Sequence, residues 1–313
     1  MPKQRKAILD TDPGIDDMLA IMLAYCSPEL RLLGVTVVNG NVHTDVGTSN
    51  ALATLDSLGA KHVPVCTGCW HPLLRPARTQ LEVYGAAQDS GLPFDPQWAS
   101  RADSRHAVNF LIEQVCSRPG EVTLFTLAPL TNIAAAIIME KRFAPSVGEI
   151  FMMGGAATVS GNTSTVAEFN LYVDPEAAWV VFESGIPITM VGLDVTGKTV
   201  LHPSDAPTLD TLGTPVAEFI RQITRHYLDF SAPCTLFDPL AVAVGMQPSL
   251  VKRAVQARVD VEVIGEFSAG ATIVDLPGTS GRSANARVCL EVDSEAFLKL
   301  FWERVIDSGS KEM

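Results

Sequence analysis

Cysteine is scarce in this chain, with six in 313 residues. That excludes a disulfide-built scaffold. Positive charge is also short: 23 lysines and arginines face 35 aspartates and glutamates, a net charge of −12. With no basic cluster, the chain lacks the means to neutralise phosphates. Nucleic-acid binding and docking on anionic lipid are therefore excluded. No apolar run approaches the roughly 18 residues of a membrane span. The basic opening meets Asp10 and Asp12 before an apolar core of signal-peptide length can form, so the expected location is the cytoplasm. Against these shortages, 47% hydrophobic and 19% charged residues make a globular composition. At about 150 residues per domain the length allows one or two domains.

The chain is rich in alternation. Short β-rich runs at Lys6–Leu9, Leu32–Val38, Val63–Cys66, Val122–Leu127, Glu149–Met153 and Ile186–Val191 are separated by helical spacing. The helices read over Ile15–Cys26, Val46–Leu58, Ser104–Cys116, Thr131–Glu140 and from Asp174. This pattern predicts an α/β fold with a mostly parallel central sheet and helices on both faces. Pro215–Leu228 and Pro239–Val244 read as further helices. Strands at Arg258–Ile264, Ala271–Leu276 and Arg287–Val292 and a helix at Ser294–Val305 close the chain. No linker or repeat interrupts it, so one domain over residues 1–313 is expected. Thr67–Arg101, Gly154–Val173 and Asp194–Gly213 read as long loops. The first two follow strands, which places them at the carboxyl ends of the sheet, where open α/β folds bind ligands.

Asp10-Thr-Asp12-Pro-Gly-Ile-Asp16-Asp17 gathers four carboxylates at a strand–helix junction. Helix capping at Asp12-Pro13 and the positive helix end account for one or two of them. Four repel one another at short range, and a hard divalent cation resolves that repulsion. Cys66-Thr-Gly-Cys69 has redox spacing, but it runs into Trp70-His71-Pro72 instead of opening a helix. No redox or zinc role is assigned to it.

The acidic octet resembles the amino-terminal signature of the inosine-uridine nucleoside hydrolases. The resemblance continues through Val38-Asn-Gly-Asn41, Leu127-Ala-Pro-Leu-Thr-Asn-Ile133, Met153-Gly-Gly155, Gly161-Asn162, Val166-Ala-Glu168-Phe-Asn170, Asp174-Pro-Glu-Ala-Ala178 and Phe237-Asp238-Pro-Leu-Ala241. It implies Ca²⁺-dependent hydrolysis of the N-glycosidic bond of ribonucleosides, giving ribose and free base. The implied metal ligands are Asp12, Asp17, the backbone carbonyl of Leu127, and Asp238. Asp12 is implied also as general base for a water in the metal's shell. Asp10 is implied as a brace behind these ligands. Asp16 is implied as partner of the ribose 2′-hydroxyl, Asn41 as an orienter of sugar and nucleophile, and Asn162, Glu168 and Asn170 as hydroxyl partners. Met153 would pack beside the 5′ carbon. The resemblance also implies a homodimer or homotetramer.

Two positions depart from the family pattern. Many members have His before the late Asp to protonate the departing base; here that residue is Phe237. The candidate donors are Tyr84, where a second family His is replaced, and His226, with Arg221 and Arg225 on the same helix. Asp238-Pro239 also reads as an ordinary helix cap, like Asp174-Pro175. Two other functions compete. An Asp-x-Asp phosphatase would need Thr or Val where Gly14 stands. A nucleoside- or ribose-binding relative with weak or no hydrolase activity is suggested by Phe237. Base preference does not transfer across the Phe237 change.

Overall fold

The computed structural model describes residues 4–80, 92, 98, 100–229 and 232–306, with the side chains of Ala206 and His226 outside that description. The strands are β1 (Arg5–Thr11), β2 (Leu30–Val37), β3 (Val65–Thr67), β4 (Val122–Thr126), β5 (Val147–Met153), β6 (Ile188–Val191), β7 (Val200–Leu201), β8 (Cys234–Thr235), β9 (Val251–Val261), β10 (Thr272–Asp275) and β11 (Ala286–Val292). Nine of them form one sheet in the order β10-β9-β11-β6-β5-β4-β1-β2-β3, and β7 pairs with β8 apart from it. From β11 through β3 every pair is parallel. β9 and β10 extend the β11 edge antiparallel.

Parallel pairs need crossovers, and helices supply them, so both faces of the sheet are covered. Successive strand residues point to opposite faces. Ala7 and Leu9, Phe125 and Phe151 enter one core with the helices Ile15–Cys26, Thr44–Ser57, Pro215–Asp229, Phe237–Met246 and Ser294–Phe301. Ile8, Leu124, Ile150 and Met152 enter the other, with Ala107–Cys116, Thr131–Met139 and Pro175–Phe182. Gly245 lets the Phe237–Met246 helix lie against the sheet: a Cβ there would stand 2.4 Å from the Phe125 ring.

β1 lies between β4 and β2. The chain steps from it to β2 and β3 on one side, then returns to β4 on the other. Such a reversal leaves a crevice at the carboxyl ends of β1 and β4. Asp12 follows β1 and Leu127 follows β4, so both stand at its mouth.

Some boundaries differ from expectation. β9 begins at Val251, seven residues before the expected strand, because its half-exposed first turn carries Lys252, Arg253 and Gln256 and hides the apolar pattern. The last helix is α-helical only to Phe301 and continues as a wider π turn to Ile306. The expected loops after β5 and β6 contain the short helices Phe169–Val173, Leu193–Thr196 and Ala206–Leu212. Elements this short show no periodicity to read. Among the described residues no helix is long and apolar enough to cross a membrane.

Candidate active site

After β1 the chain turns through Asp12-Pro13-Gly14 into the Ile15–Cys26 helix. Asp17 reaches back to this turn. Its carboxylate accepts the Gly14 N–H at 3.0 Å, the Asp12 N–H at 3.3 Å and the Thr11 hydroxyl. Asn41 holds the acids from the other side. Its side-chain amide donates to Asp17 at 2.7 Å and to Asp12 at 3.3 Å, and its backbone N–H donates to Asp12. Gly40 permits this approach, because a Cβ there would stand 1.9 Å from Asp12 Oδ2. Asp10 accepts from Thr36 at 2.6 Å and Asn132 at 2.9 Å, tying β1 to β2 and to the Thr131–Met139 helix. Burial pushes its carboxyl up to about 7.

The two Asp-Pro pairs behave differently. Asp174 is a helix cap, accepting the Ala177 N–H at 3.0 Å, and it also takes the Leu73 N–H at 2.9 Å and the Thr131 hydroxyl at 2.6 Å. Asp238 caps nothing: its helix starts at Phe237 behind Leu236, without a side-chain cap bond. Instead, one oxygen each of Asp16, Asp17 and Asp238 lie within 4.8 Å of one another. Two helix N-termini converge there, and their partial positive charge favours anions. The repulsion is still large. Asp12 and Asp238 lie well above the usual carboxylate range, through burial first and then the field of neighbouring carboxylates. Burial and Asp17 push Asp16 up to about 7. Among the described residues, no lysine or arginine forms an ion pair with any of the four. Buried oxygen-only donors with no paired cation fit a hard divalent metal ion.

Above the acids is a cavity of about 250 Å³. Asp16, Asn41, Leu127, Asp238 and Phe237 line one part of it, and Met153, Asn162, Glu168 and Asn170 another. Asp12 and Asp17 are fully buried and are not among its lining residues, and Asp12 joins the cluster through Asn41, which bonds to both. Glu168 accepts from Asn170 N–H at 3.0 Å and Gly155 N–H at 3.1 Å, and burial pushes it up to about 7. The Asn170 amide donates to the carbonyls of Leu127 at 3.0 Å and Met153 at 3.2 Å. Asn162 Oδ1 accepts the Phe169 N–H at 3.0 Å.

Tyr84 lies outside the described residues. His226 falls in the Pro215–Asp229 helix, with its side chain outside the description. Its neighbour Tyr227 lines the cavity, as do Gln80 and Thr235; sequence reasoning missed all three. Tyr227 had a signal, since it continues the buried stripe of Val216, Ile220 and Ile223 at helical spacing. Arg221 is held by Asp210 and Asp229, and Arg225 is exposed. Cys66 and Cys69 are both free thiols, pushed up by burial to about 12 and about 11.

A family profile described as inosine-uridine preferring nucleoside hydrolase matches residues 7–299. The chain belongs to this nucleoside hydrolase family. It is 37% identical over 310 residues to the inosine-uridine preferring nucleoside hydrolase of Leishmania major, covering 97% of each chain. To the pyrimidine-specific ribonucleoside hydrolase RihB of Escherichia coli K12 it is 35% identical over 309 residues, again 97% of each. The solved structure of the purine-preferring ribonucleoside hydrolase from Gardnerella vaginalis superposes with a TM-score of 0.89 at 34% identity, covering 98% of this chain and 99% of that one. This family member is accordingly a ribonucleoside hydrolase acting on N-glycosyl bonds. Relatives of nearly equal identity are named for different bases, so identity alone carries no base preference.

Proposed function

We propose that this hydrolase is Ca²⁺-dependent and cleaves ribonucleosides to ribose and free base, with Asp12 as general base. The observation that carries the reading is the meeting, in one cavity, of a buried carboxylate cluster with a wall of amides and carboxylates. Asp12, Asp17, Asp238 and the Leu127 carbonyl would hold the cation, a donor set of the hard oxygens that Ca²⁺ takes in numbers of six to eight. When bound, the cation would polarise the attacking water and anchor the sugar. The protein residues do the remainder. Asp12 takes the proton from the water as its oxygen adds to the ribosyl carbon, and Asn41 keeps Asp12 oriented. Asp16, Asn162, Glu168 and Asn170 bind the ribose hydroxyls, and Met153 packs beside the sugar. As the C–N bond breaks, positive charge builds on the ring, and the surrounding carboxylates stabilise it.

The departing base faces Phe237, Gln80 and Tyr227. Phe237 offers a stacking surface and no proton. We assign the leaving-group proton to Tyr227, the phenol among the described lining residues, with Tyr84 and His226 as the other donors to be tested.

A homodimer or homotetramer completes the proposal. Arg75 ties Glu176 and the Val263 carbonyl together, joining the segments that carry exposed Leu74, Trp179 and Ile264; we take these as the subunit contact. Sedimentation of a Trp179→Glu, Ile264→Glu variant should show smaller particles than the parent.

The deciding experiment is a panel of purine, pyrimidine and modified ribonucleosides, scored by reducing-sugar release with and without chelator. Release that stops in chelator and returns with Ca²⁺ is expected. Tight ribonucleoside binding without turnover, or full activity in chelator, would overturn the proposal.

A further inference from the structure

The loop that leaves β5 carries Asn162 and Glu168 to the cavity, and its first residues are held one after another from elsewhere in the fold. The Gly155 N–H donates to Glu168 at 3.1 Å, and its carbonyl accepts the Leu193 N–H at 2.9 Å. The Ala156 N–H donates to the Thr272 hydroxyl at 2.9 Å, and that hydroxyl donates back to the Ala156 carbonyl. The Ala157 and Thr158 N–H groups donate to the two oxygens of Asp194 at 2.7 and 2.8 Å, and the Thr158 hydroxyl donates to Asp194 as well. Asp194 is 6% exposed, sits in the turn after β6, and does not line the cavity. The far end of the loop is pinned by a bridge between Ala167 and Ala271. Between these anchors, Thr158–Ser160 and Asn162 are exposed.

A buried carboxylate is costly unless its oxygens are satisfied. Here three donors from one loop end satisfy it, and each is a charge-assisted bond of the stronger kind. Removing the carboxylate frees consecutive backbone N–H groups at the point where the loop turns out over the site. We infer that Asp194 is a positioning residue for ribose recognition: by fixing the Ala157–Thr158 backbone it sets Asn162 over the cavity. This rests on the proposed role of Asn162 as a hydroxyl partner. Misplacement of a binding group by about 1 Å costs up to about 10²-fold, and the loss should fall on KM, because the Asp194 carboxylate is bonded to Ala157 and Thr158 and not to the acid cluster.

The test is a double-mutant cycle on the metal-loaded enzyme with a ribonucleoside it cleaves. Asp194→Ala and Asn162→Ala should each raise KM by about tenfold or more with kcat changed far less, and Ca²⁺ affinity should stay at the parent value. In the Asn162→Ala background, Asp194→Ala should add little further to KM. Should Asp194→Ala fail to fold, Asp194→Asn carries the same cycle, since it keeps one acceptor oxygen and turns the other into a donor facing an N–H. A parent-like KM for a folded Asp194 variant, while Asn162→Ala raises KM, overturns the inference and leaves the ribose assignment standing. Effects that multiply in the double variant also overturn it. A parent-like KM for Asn162→Ala removes the ribose assignment and this inference with it.

Discussion

The side-chain amide of Asn41 stands 2.7 Å from the Asp17 carboxylate. The same nitrogen reaches Asp12 at 3.3 Å, so one neutral donor spans two acids that repel each other. Asn41→Ala leaves that repulsion unrelieved. Loss of such a supporting partner costs about 10–100-fold in metal affinity or activity. A cation titration and kcat/KM for Asn41→Ala should both fall in that range; parent values for both would contradict the assignment.

Gly40 passes so close to Asp12 that no side chain fits between them. The same Cβ would lie 2.8 Å from Pro129, so the turn has no direction in which to yield. Gly40→Ala should destabilise the protein by about 1–3 kcal/mol, the usual cost of overpacking, and should lower kcat by displacing the base. Thermal melts beside single-turnover rates check both; an unchanged rate at an unchanged melting temperature would refute the packing argument.

The buried acids make stability depend on pH. Glu168 and Asp16 are each pushed up to about 7, while an unfolded carboxyl titrates near about 4. Between those values the folded, metal-free protein holds protons that the unfolded chain has released. The stability tied to these groups is full below about pH 4 and is lost as pH rises through about 7. In chelator, the melting temperature should fall from about pH 5 to about pH 8. Added Ca²⁺ should raise it more at the higher pH, because the cation competes with protons on its proposed ligands Asp12 and Asp238, which burial and neighbouring carboxylates also push up. A larger Ca²⁺ shift at the acidic end would reverse the predicted sign.

Ribose hydroxyls give Asp16, Glu168 and Asn170 their proposed partners, so 2′-deoxynucleosides should be poor substrates. A site built to bind a hydroxyl rejects the analogue without it by about 10⁴ in strong cases. Equal kcat/KM for a ribonucleoside and its 2′-deoxy form would exclude the assignment.

Proton donation to the base separates natural from activated substrates. Tyr227→Phe should cut kcat on inosine or uridine by about 10²-fold or more and spare p-nitrophenyl riboside, whose leaving group departs unaided. If Tyr84→Phe or His226→Ala produces that pattern and Tyr227→Phe does not, the donor is the other residue.

The parallel strands were legible because strands covered on both faces are continuous apolar runs, as in Leu32–Val38. The start of β9 was not, since an edge-side strand with one wet face carries charges such as Lys252 and Arg253. The density of acids in the octet pointed to a carboxylate cluster, and Asp16 and Asp17 do meet Asp238 within 4.8 Å in a group that could hold a metal ion. Asp238 was ambiguous for a physical reason: Asp-Pro opens a helix at both 174 and 238, and only the approach of the Ile15–Cys26 helix separates a cap from a site acid. The stripe that ends at Tyr227 was present in the sequence, but the same spacing reads as an ordinary core face. Asp194 left no trace, because a single acid after a strand is ordinary and its three donors come from a loop far away in sequence.

Asp17 and Asp238 share one cluster although they lie far apart in the sequence. β1 and its acids emerge early in synthesis, and domains fold as units only once their parts are present. Until the Phe237–Met246 helix has been made and laid against Phe125, the early acids have no counterpart and the cavity has no floor on that side. A chain truncated before that helix should therefore be unable to destroy nucleosides. Activity therefore reports that these two distant segments have met, which makes it a readout of late assembly.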